Sequence, residues 1–129
     1  MTNLKQCIAA WQALRAIAGQ TTDYKSAHAL VLLKERLRPH VVYFSSTEMD
    51  LVKKYAELDD EGNPVYETPG RVRFRNAKAL AAFSSERTEL DDVELGEEIT
   101  RAKIAPPAAI SPEQLEALAP YVDIEEGTT

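Results

Sequence analysis

The chain has little of the chemistry on which most catalytic and metal sites depend. Its 129 residues include a single cysteine, Cys7, and two histidines, His28 and His40. One thiol excludes an intramolecular disulfide and is compatible with a reducing compartment. On one helix the two histidines would stand about three turns apart, too far to share a metal ion. We therefore expect no metal site and no cofactor.

Long apolar runs and glycine-rich loops are missing as well. No segment approaches the ~20 apolar residues that a membrane-spanning helix requires. Polar residues interrupt the apolar residues of the N-terminal segment, whereas a signal peptide has an unbroken apolar region. The segment therefore favours a helix of the mature protein. The five glycines are scattered along the chain, so the sequence contains no phosphate-binding loop. We expect a cytoplasmic protein that makes no membrane contact.

The composition is that of an ordinary globular domain. Hydrophobic residues make up 44% of the chain and charged residues 28%, which argues against disorder. We predict a single domain over residues 1–129, whose end, residues 121–129, forms an acidic and mobile tail. The net charge of −6 counts against nucleic acid as the default partner, because proteins that grip phosphates usually show a positive field.

Helical periodicity dominates the first half of the sequence. Apolar residues spaced three and four apart predict a first helix over residues 3–18. A similar pattern predicts a long second helix over residues 23–58 that continues through Pro39. Proline removes a backbone hydrogen bond and clashes with the preceding turn, so we expect a kink there. The alternatives are two helices separated at Pro39 and a local strand over the β-prone residues 40–44.

The middle of the chain predicts a small antiparallel sheet. Residues 65–67 and 71–75 flank the turn Thr68-Pro-Gly70, and the second of these segments alternates apolar with charged side chains, so a hairpin is predicted. A lone hairpin is marginally stable in water, so it should gain a strand or lean on the helices. Val93-Glu-Leu95 also alternates and could be that strand, so we predict a small antiparallel sheet of two to three strands.

Two capping signals predict the remaining helices. Asn76 precedes a third helix over residues 77–90, whose inner face we expect to be formed by Leu80, Phe83, Arg87 and Leu90. Ser111, Pro112 and Gln114 match a capping box with proline in the first turn, which predicts a short C-terminal helix. The sequence thus predicts a mainly α fold with a small β-hairpin, an α+β protein built on a helical hairpin.

Residues that could carry out chemistry lie in unfavourable contexts. Cys7 lies on the apolar stripe of the first helix, which favours a packed thiol over a nucleophile. The run Glu57–Gly62 resembles the start of a calcium loop, with acids at alternate positions followed by glycine. The twelfth position of that loop is Thr68, where the pattern requires glutamate. We predict neither a catalytic nor a metal site, and a protein that is not an enzyme.

Two features point instead to an interaction surface. Arg71, Arg73 and Arg75 alternate along the predicted hairpin, so they share one face that can meet an acidic partner. The chain's own acid-rich stretch, residues 89–98, is the favoured alternative, since a third strand there would bring it close. Trp11, the only tryptophan, is expected to anchor the core between helices, with an interface role as the alternative.

Five short motifs follow one another along the chain, from the first helix to the acidic end. They are Ala10-Trp-Gln-Ala-Leu14, Leu51-Val-Lys-Lys-Tyr55, Asp60-Glu-Gly-Asn63, Val93-Glu-Leu95 and Ile110-Ser-Pro-Glu-Gln-Leu115. In this order they resemble an uncharacterised family of small proteins carried by tailed bacteriophages and prophages. Pro39 and the arginine-rich strand depart from the family pattern. The resemblance implies a bacterial host cytoplasm and brings no catalytic residue with it.

The functional expectation is a non-enzymatic phage or prophage protein that works by protein–protein contact. Self-association as a homo-oligomer is expected as well, because a helix of this length overhangs a small domain unless it bends or pairs. The alternative is a nucleic-acid-associated accessory factor that uses the row Arg71, Arg73 and Arg75. Salt-dependent retention on DNA that requires these arginines would favour the alternative.

Overall fold

The computed structural model describes residues 2–20 and 23–125 and is mainly helical, with two small sheets. Its elements are α1 (Leu4–Ile17), a 3₁₀ turn (Ala18–Gln20), α2 (Tyr24–Tyr55), β1 (Tyr66–Thr68), β2 (Arg71–Val72), α3 (Ala77–Asp91), β3 (Ala102–Ile104), α4 (Pro112–Leu118) and β4 (Val122–Ile124). The predicted α+β fold with a small hairpin is confirmed. Within these residues no helix combines the length and the apolar character that a membrane crossing requires.

The described residues form two compact units. The terminal unit lies within Met1–Val41 and Glu94–Thr129, and the central unit is Val42–Val93. α2 contributes to both, because the division falls within this helix. The organisation of residues 1–129 as a single domain stays a prediction.

α1 and α4 pack against each other in the terminal unit. Asn3 caps α1 by accepting a hydrogen bond from the amide of Gln6 at 2.9 Å, and the Gln6 side chain accepts one from the Asn3 amide. The largest fully buried side chains of this unit are Leu4, Cys7, Leu14, Ile17, Leu33, Leu37, Leu118 and Tyr121. α1 ends by tightening into the 3₁₀ turn, so Gly19 does not take the left-handed conformation that a glycine cap would use.

Pro39 does not interrupt α2. The prediction of one long helix is confirmed, and the alternatives of two helices or a strand over residues 40–44 are wrong. Leu37 and Phe44 are both buried, so the apolar stripe continues past the proline and its burial outweighs one lost hydrogen bond. The helix ends at Tyr55, three residues before the predicted limit. The kink at Pro39 stays a prediction.

The predicted hairpin is present as a two-stranded sheet, and Val93-Glu-Leu95 does not add the third strand considered for it. β1 and β2 pair in antiparallel fashion. The segment that follows α2 extends the pairing, since Ala56 forms an antiparallel bridge with Phe74. Glu94 instead bridges Asn3 in the terminal unit. Alternation of side chains indicates an extended segment, but it does not encode which other segment it pairs with.

Both predicted helix caps are confirmed. The Asn76 side chain accepts a hydrogen bond from the amide of Ala79 at 2.7 Å, at the start of α3. Ser111 accepts from the amide of Gln114 at 3.1 Å, and the Gln114 side chain accepts from the Ser111 amide at 3.0 Å. These bonds satisfy amides that the first turn of a helix leaves without partners.

Within the segment predicted as an acidic, mobile tail, Val122–Ile124 form strand β4, and the mobility of the segment stays a prediction. β4 pairs in parallel with β3, and Tyr121 itself is buried. The Tyr121 hydroxyl shares a hydrogen bond with the Thr2 hydroxyl, and the Glu125 amide donates to the carbonyl of Ile104 at 2.8 Å. The part of the prediction that concerns residues 126–129 lies outside the described residues.

Arg101 links β3 to the end of α4. Its guanidinium donates to the carbonyl oxygens of Ala119 and Pro120 at 2.7 and 2.8 Å, and to the Asp123 carboxylate at 2.7 Å. The hydrogen bond from Arg101 lowers the pKa of Asp123 below its ordinary value. Because the last carbonyls of a helix have no partner within it, this arginine supplies donors where α4 needs them.

Candidate functional site

An apolar groove of about 800 Å³ opens on the central unit. It is formed by the C-terminal half of α2, the hairpin of β1 and β2, and α3. Its larger apolar lining residues are Met49, Val52, Tyr66, Val72, Phe74, Leu80 and Phe83. This feature is called the central groove below.

Three of these apolar side chains are open to solvent. Met49 is 43% exposed, Tyr66 52% and Leu80 47%. Full burial of a large apolar side chain stabilises by about 1.5–3 kcal/mol, so leaving three of them open in one concavity forgoes substantial free energy. Clustered exposed apolar side chains are typical of interaction sites, and methionine and tyrosine suit them because they adapt to varied surfaces.

A glycine turn and a helix cap position the hairpin and α3, which form two sides of the central groove. Gly70 has a φ of +81°, a left-handed conformation that only glycine adopts without strain, and it lets the hairpin reverse direction. Asn76 fixes the start of α3 through its cap. Between these two positions, Phe74 packs against Phe83 with ring centroids 4.9 Å apart, which joins the hairpin to α3.

Most charges at the central groove are matched within the unit. The Glu48 carboxylate lies 2.7 Å from Arg87, and the Glu67 carboxylate lies 3.5 Å from Arg73. Arg71 also lines the groove and is exposed, and no ion pair joins it to another described residue. The groove therefore presents one unmatched guanidinium beside an apolar surface.

The three arginines predicted as an interaction surface have three different environments. Arg71 lines the groove, Arg73 forms ion pairs with two carboxylates, and Arg75 donates to two backbone carbonyl groups. Arg73 lies 3.8 Å from the Glu57 carboxylate and 3.5 Å from that of Glu67. Arg75 donates to the carbonyl of Tyr55 at 3.4 Å and to that of Lys54. The acid-rich stretch 89–98, the partner that sequence reasoning favours, supplies none of these contacts. Only Arg71 is left available to a ligand by the described structure.

Trp11, the fourth residue predicted for an interaction surface, lies in the terminal unit. Its side chain is half-buried on α1. Two cations from α2 stand over its rings, with Lys34 Nζ at 5.3 Å and Arg38 Cζ at 5.6 Å from the ring centroid. Trp11 therefore reaches the surface beneath two long charged side chains, in cation–π geometry, rather than being enclosed in the core.

The residues considered for catalysis or metal binding have different surroundings. Cys7 is buried, and burial raises the pKa of its thiol to about 11, which keeps the sulfur protonated at neutral pH. His28 stacks on Tyr24 with ring centroids 5.9 Å apart. His40 Nε2 lies 3.1 Å from Glu97 Oε1. Across the described part of the chain, no three His, Cys, Asp or Glu side chains are grouped as they would be in a metal site.

The calcium-like run at Glu57–Gly62 forms a turn. Asp59 Oδ1 accepts hydrogen bonds from the amides of Glu61 and Asn63, both at 2.9 Å. Gly62 has a φ of +83°, which the reversal requires. The Asp59 carboxylate is thus occupied by its own backbone, as in a turn stabilised by an aspartate side chain.

The sequence identifies two apolar residues of the groove, Leu80 and Phe83, but only as part of the inner face of α3. Its periodicity assigns Leu80 to the inner face of α3 together with Leu90. Leu90 is buried as expected, whereas Leu80 is not. The periodicity of α3 does not distinguish a leucine in the core from one that lines an open groove, so the sequence gives no signal for this site.

Comparison with known proteins gives no match, whether to a family model, to a curated protein or to a solved structure. Function is therefore inferred from the groove, surfaces and charges of this chain alone. The resemblance to small phage proteins stays a hypothesis.

Proposed function

We propose that this protein acts without catalysis, by binding a segment of a partner protein in the central groove. The observation that carries the proposal is the group Met49, Tyr66 and Leu80, which line one concavity and are each more than two-fifths exposed. Concave, mainly apolar sites with few polar groups are the usual form of ligand and peptide sites. Covering these side chains would supply the hydrophobic free energy for binding.

The groove fits a short apolar segment that also carries a carboxylate. Glu48 and Glu67 are already paired with arginines, whereas Arg71 has no ion partner in the described residues. A guanidinium binds a carboxylate through two parallel hydrogen bonds, which adds orientation to affinity. A volume of about 800 Å³ accommodates several side chains of a peptide but not a folded domain.

The proposed setting is a bacteriophage or prophage, in the cytoplasm of a bacterial host. This part rests on the order of short motifs along the chain, of which Ala10–Leu14 lies on α1 and Leu51–Tyr55 ends α2. The neighbouring genes test it. Head, tail or phage replication genes around this one would support a phage setting, and a position within an operon of host metabolic enzymes would contradict it.

Leu80→Glu should remove peptide binding and leave the fold intact. Because Leu80 is 47% exposed, a carboxylate there costs little stability, but it places a charge within the apolar lining. A random peptide display library selected on the wild-type protein should enrich peptides with apolar anchors and an acidic residue. By fluorescence anisotropy, synthetic versions of these peptides should bind Leu80→Glu roughly tenfold or more weakly.

Leu115→Glu provides the matched control, because Leu115 is a 44% exposed leucine on α4, outside the groove. Its peptide affinity should equal that of the wild type. Arg71→Glu should weaken binding of the acidic peptides and favour basic ones. A library that yields no enriched peptide, or only peptides that bind Leu80→Glu as tightly as the wild type, would contradict the proposal.

A further inference from the structure

The basic residues of this acidic chain are unevenly distributed. The net charge is −6, yet α1 and the part of α2 within the terminal unit carry six basic residues and one acidic residue. The basic residues are Lys5, Arg15, Lys25, Lys34, Arg36 and Arg38, and the acidic one is Glu35. The acid excess lies elsewhere, since Val42–Val93 alone carries eleven acidic and seven basic residues. The two helices therefore form a positive region on a negative chain.

One side of α2 combines this charge with exposed apolar groups. Tyr24, Val31 and Arg38 recur every seven residues and so project from the same side of the helix. Tyr24 is 82% exposed and Val31 56%. Lys34 and Arg38 reach from this side over the indole of Trp11 on α1. These five residues are called the tryptophan face.

We propose that the tryptophan face docks on an acidic surface of a second copy of this chain. Charge complementarity favours a second copy as the occupant, because the same chain supplies both a cationic helical surface and an excess of carboxylates elsewhere. Tryptophan, tyrosine and arginine are the residues that most often carry binding energy at protein interfaces. Exposed Tyr24 and Val31 contribute little to contact with a phosphate backbone, so a protein surface fits better than nucleic acid.

The cations of the tryptophan face are available for such a contact. Glu35 lies 2.9 Å from Arg38, and both side chains are more than half exposed, so the pair is screened by solvent and holds Arg38 only weakly. Lys34 has no ion pair with any residue that the structure describes. Both cations are held near the indole, which limits the side-chain freedom that docking would remove.

Sedimentation velocity at two salt concentrations tests the proposal. At about 20 mM salt the wild-type protein should sediment as an oligomer, and at about 500 mM it should shift toward the monomer, because screening weakens contacts between exposed charges. Lys34→Glu combined with Arg38→Glu should raise the dissociation constant at low salt roughly tenfold or more. Trp11 is the only tryptophan, so its emission should change with protein concentration in the wild type and not in this double variant.

The matched control is Lys25→Glu combined with Arg36→Glu. These exposed residues lie on the same helix and give the same change in charge, but they project away from the tryptophan face. The control should associate nearly as the wild type does, and circular dichroism should show unchanged helix content in both double variants. A monomer at low salt, an oligomer that salt leaves unchanged, or equal loss of association in both double variants would overturn the proposal. Leu80→Glu should leave self-association unchanged, so this test and that of the central groove fail independently.

Discussion

Arginine side chains organise the polar contacts of this protein, and each uses the guanidinium differently. Arg87 bridges Glu48 of α2 and Asp91 of α3, and its guanidinium stands 4.5 Å above the ring of Phe44. Arg101 donates to three backbone carbonyl groups, those of Ala119, Pro120 and Val122, as well as to a carboxylate. Such contacts use the flat, forked shape of the group as well as its charge, so lysine is not an equivalent replacement.

Replacing Arg101 by glutamine should lower the thermal midpoint by roughly 3–6 °C, measured by scanning calorimetry. The variant loses the charged contact with Asp123 and the donors that meet the carbonyl groups of Ala119 and Pro120. Arg101→Lys should fall between the two proteins, because a compact ammonium keeps the charge but cannot reach all of these acceptors. Equal thermal midpoints for the wild type and both variants would show that the hydrogen bonds of the Arg101 guanidinium contribute no stability.

At the scale of elements, α2 shows burial overriding local preference. Proline is the poorest helix former, and Pro39 lies well inside a helix of 32 residues. The buried side chains at Leu37 and Phe44 require the helix to continue on both sides of it. Pro39 itself is exposed, so its ring contributes no burial that would offset the missing hydrogen bond.

Pro39→Ala should therefore raise the free energy of unfolding by about 2–3 kcal/mol in urea titrations. The gain in helix propensity is about 3 kcal/mol, and the greater freedom that alanine gives the unfolded chain takes back up to about 1 kcal/mol. Ser46→Ala, at an exposed position of the same helix, is the control and should change stability by no more than about 0.5 kcal/mol. A Pro39→Ala protein that is less stable than the wild type would mean that the packing of α2 requires the proline.

The elements that the sequence predicts are those fixed by nearby residues. The caps at Asn76 and Ser111 act on amides three positions away, so the pattern contains both partners. The apolar stripe of α2 likewise needs no distant information. The parallel pairing of β3 with β4, and the bridge between Asn3 and Glu94, join segments that are far apart in the sequence. A local sequence pattern does not encode which distant segment a strand pairs with. It therefore does not reveal which apolar side chains of the central groove stay exposed.

At the scale of the whole molecule, the two proposed contacts belong to different units and differ in character. The central groove is apolar and includes Arg71, which forms no ion pair with another described residue. The tryptophan face is cationic, with apolar groups at Tyr24 and Val31. Salt should therefore weaken self-association strongly and peptide binding only slightly, which gives each contact its own signature.

Global stability should fall as the pH rises from 9 toward 11. Burial raises the pKa of Cys7 from 9.0 to about 11 and also raises that of Tyr121. In this range the unfolded chain releases the thiol proton while the folded protein retains it, so deprotonation favours unfolding. The free energy of unfolding in urea should be about 1–3 kcal/mol lower at pH 10.5 than at pH 8.

Cys7→Ala isolates the contribution of the thiol to this pH dependence. The variant should be less stable at pH 8, because it leaves a small cavity, but its stability should decline less steeply with pH. If the free energy of unfolding falls equally steeply with pH in both proteins, other groups cause the loss of stability at high pH. Tyr121 is the first of these to test.

The terminal unit is assembled from segments that a ribosome makes at different times. Val42–Val93 is contiguous, so all of its contacts can form as soon as that segment emerges. α1 packs against α4, and the amide of Leu95 donates to the carbonyl of Thr2, so these partners are translated long after α1. At ordinary synthesis rates the delay is on the order of ten seconds. During that interval the side of α1 that packs on α4 has no partner from α4, so the nascent chain exposes apolar surface there.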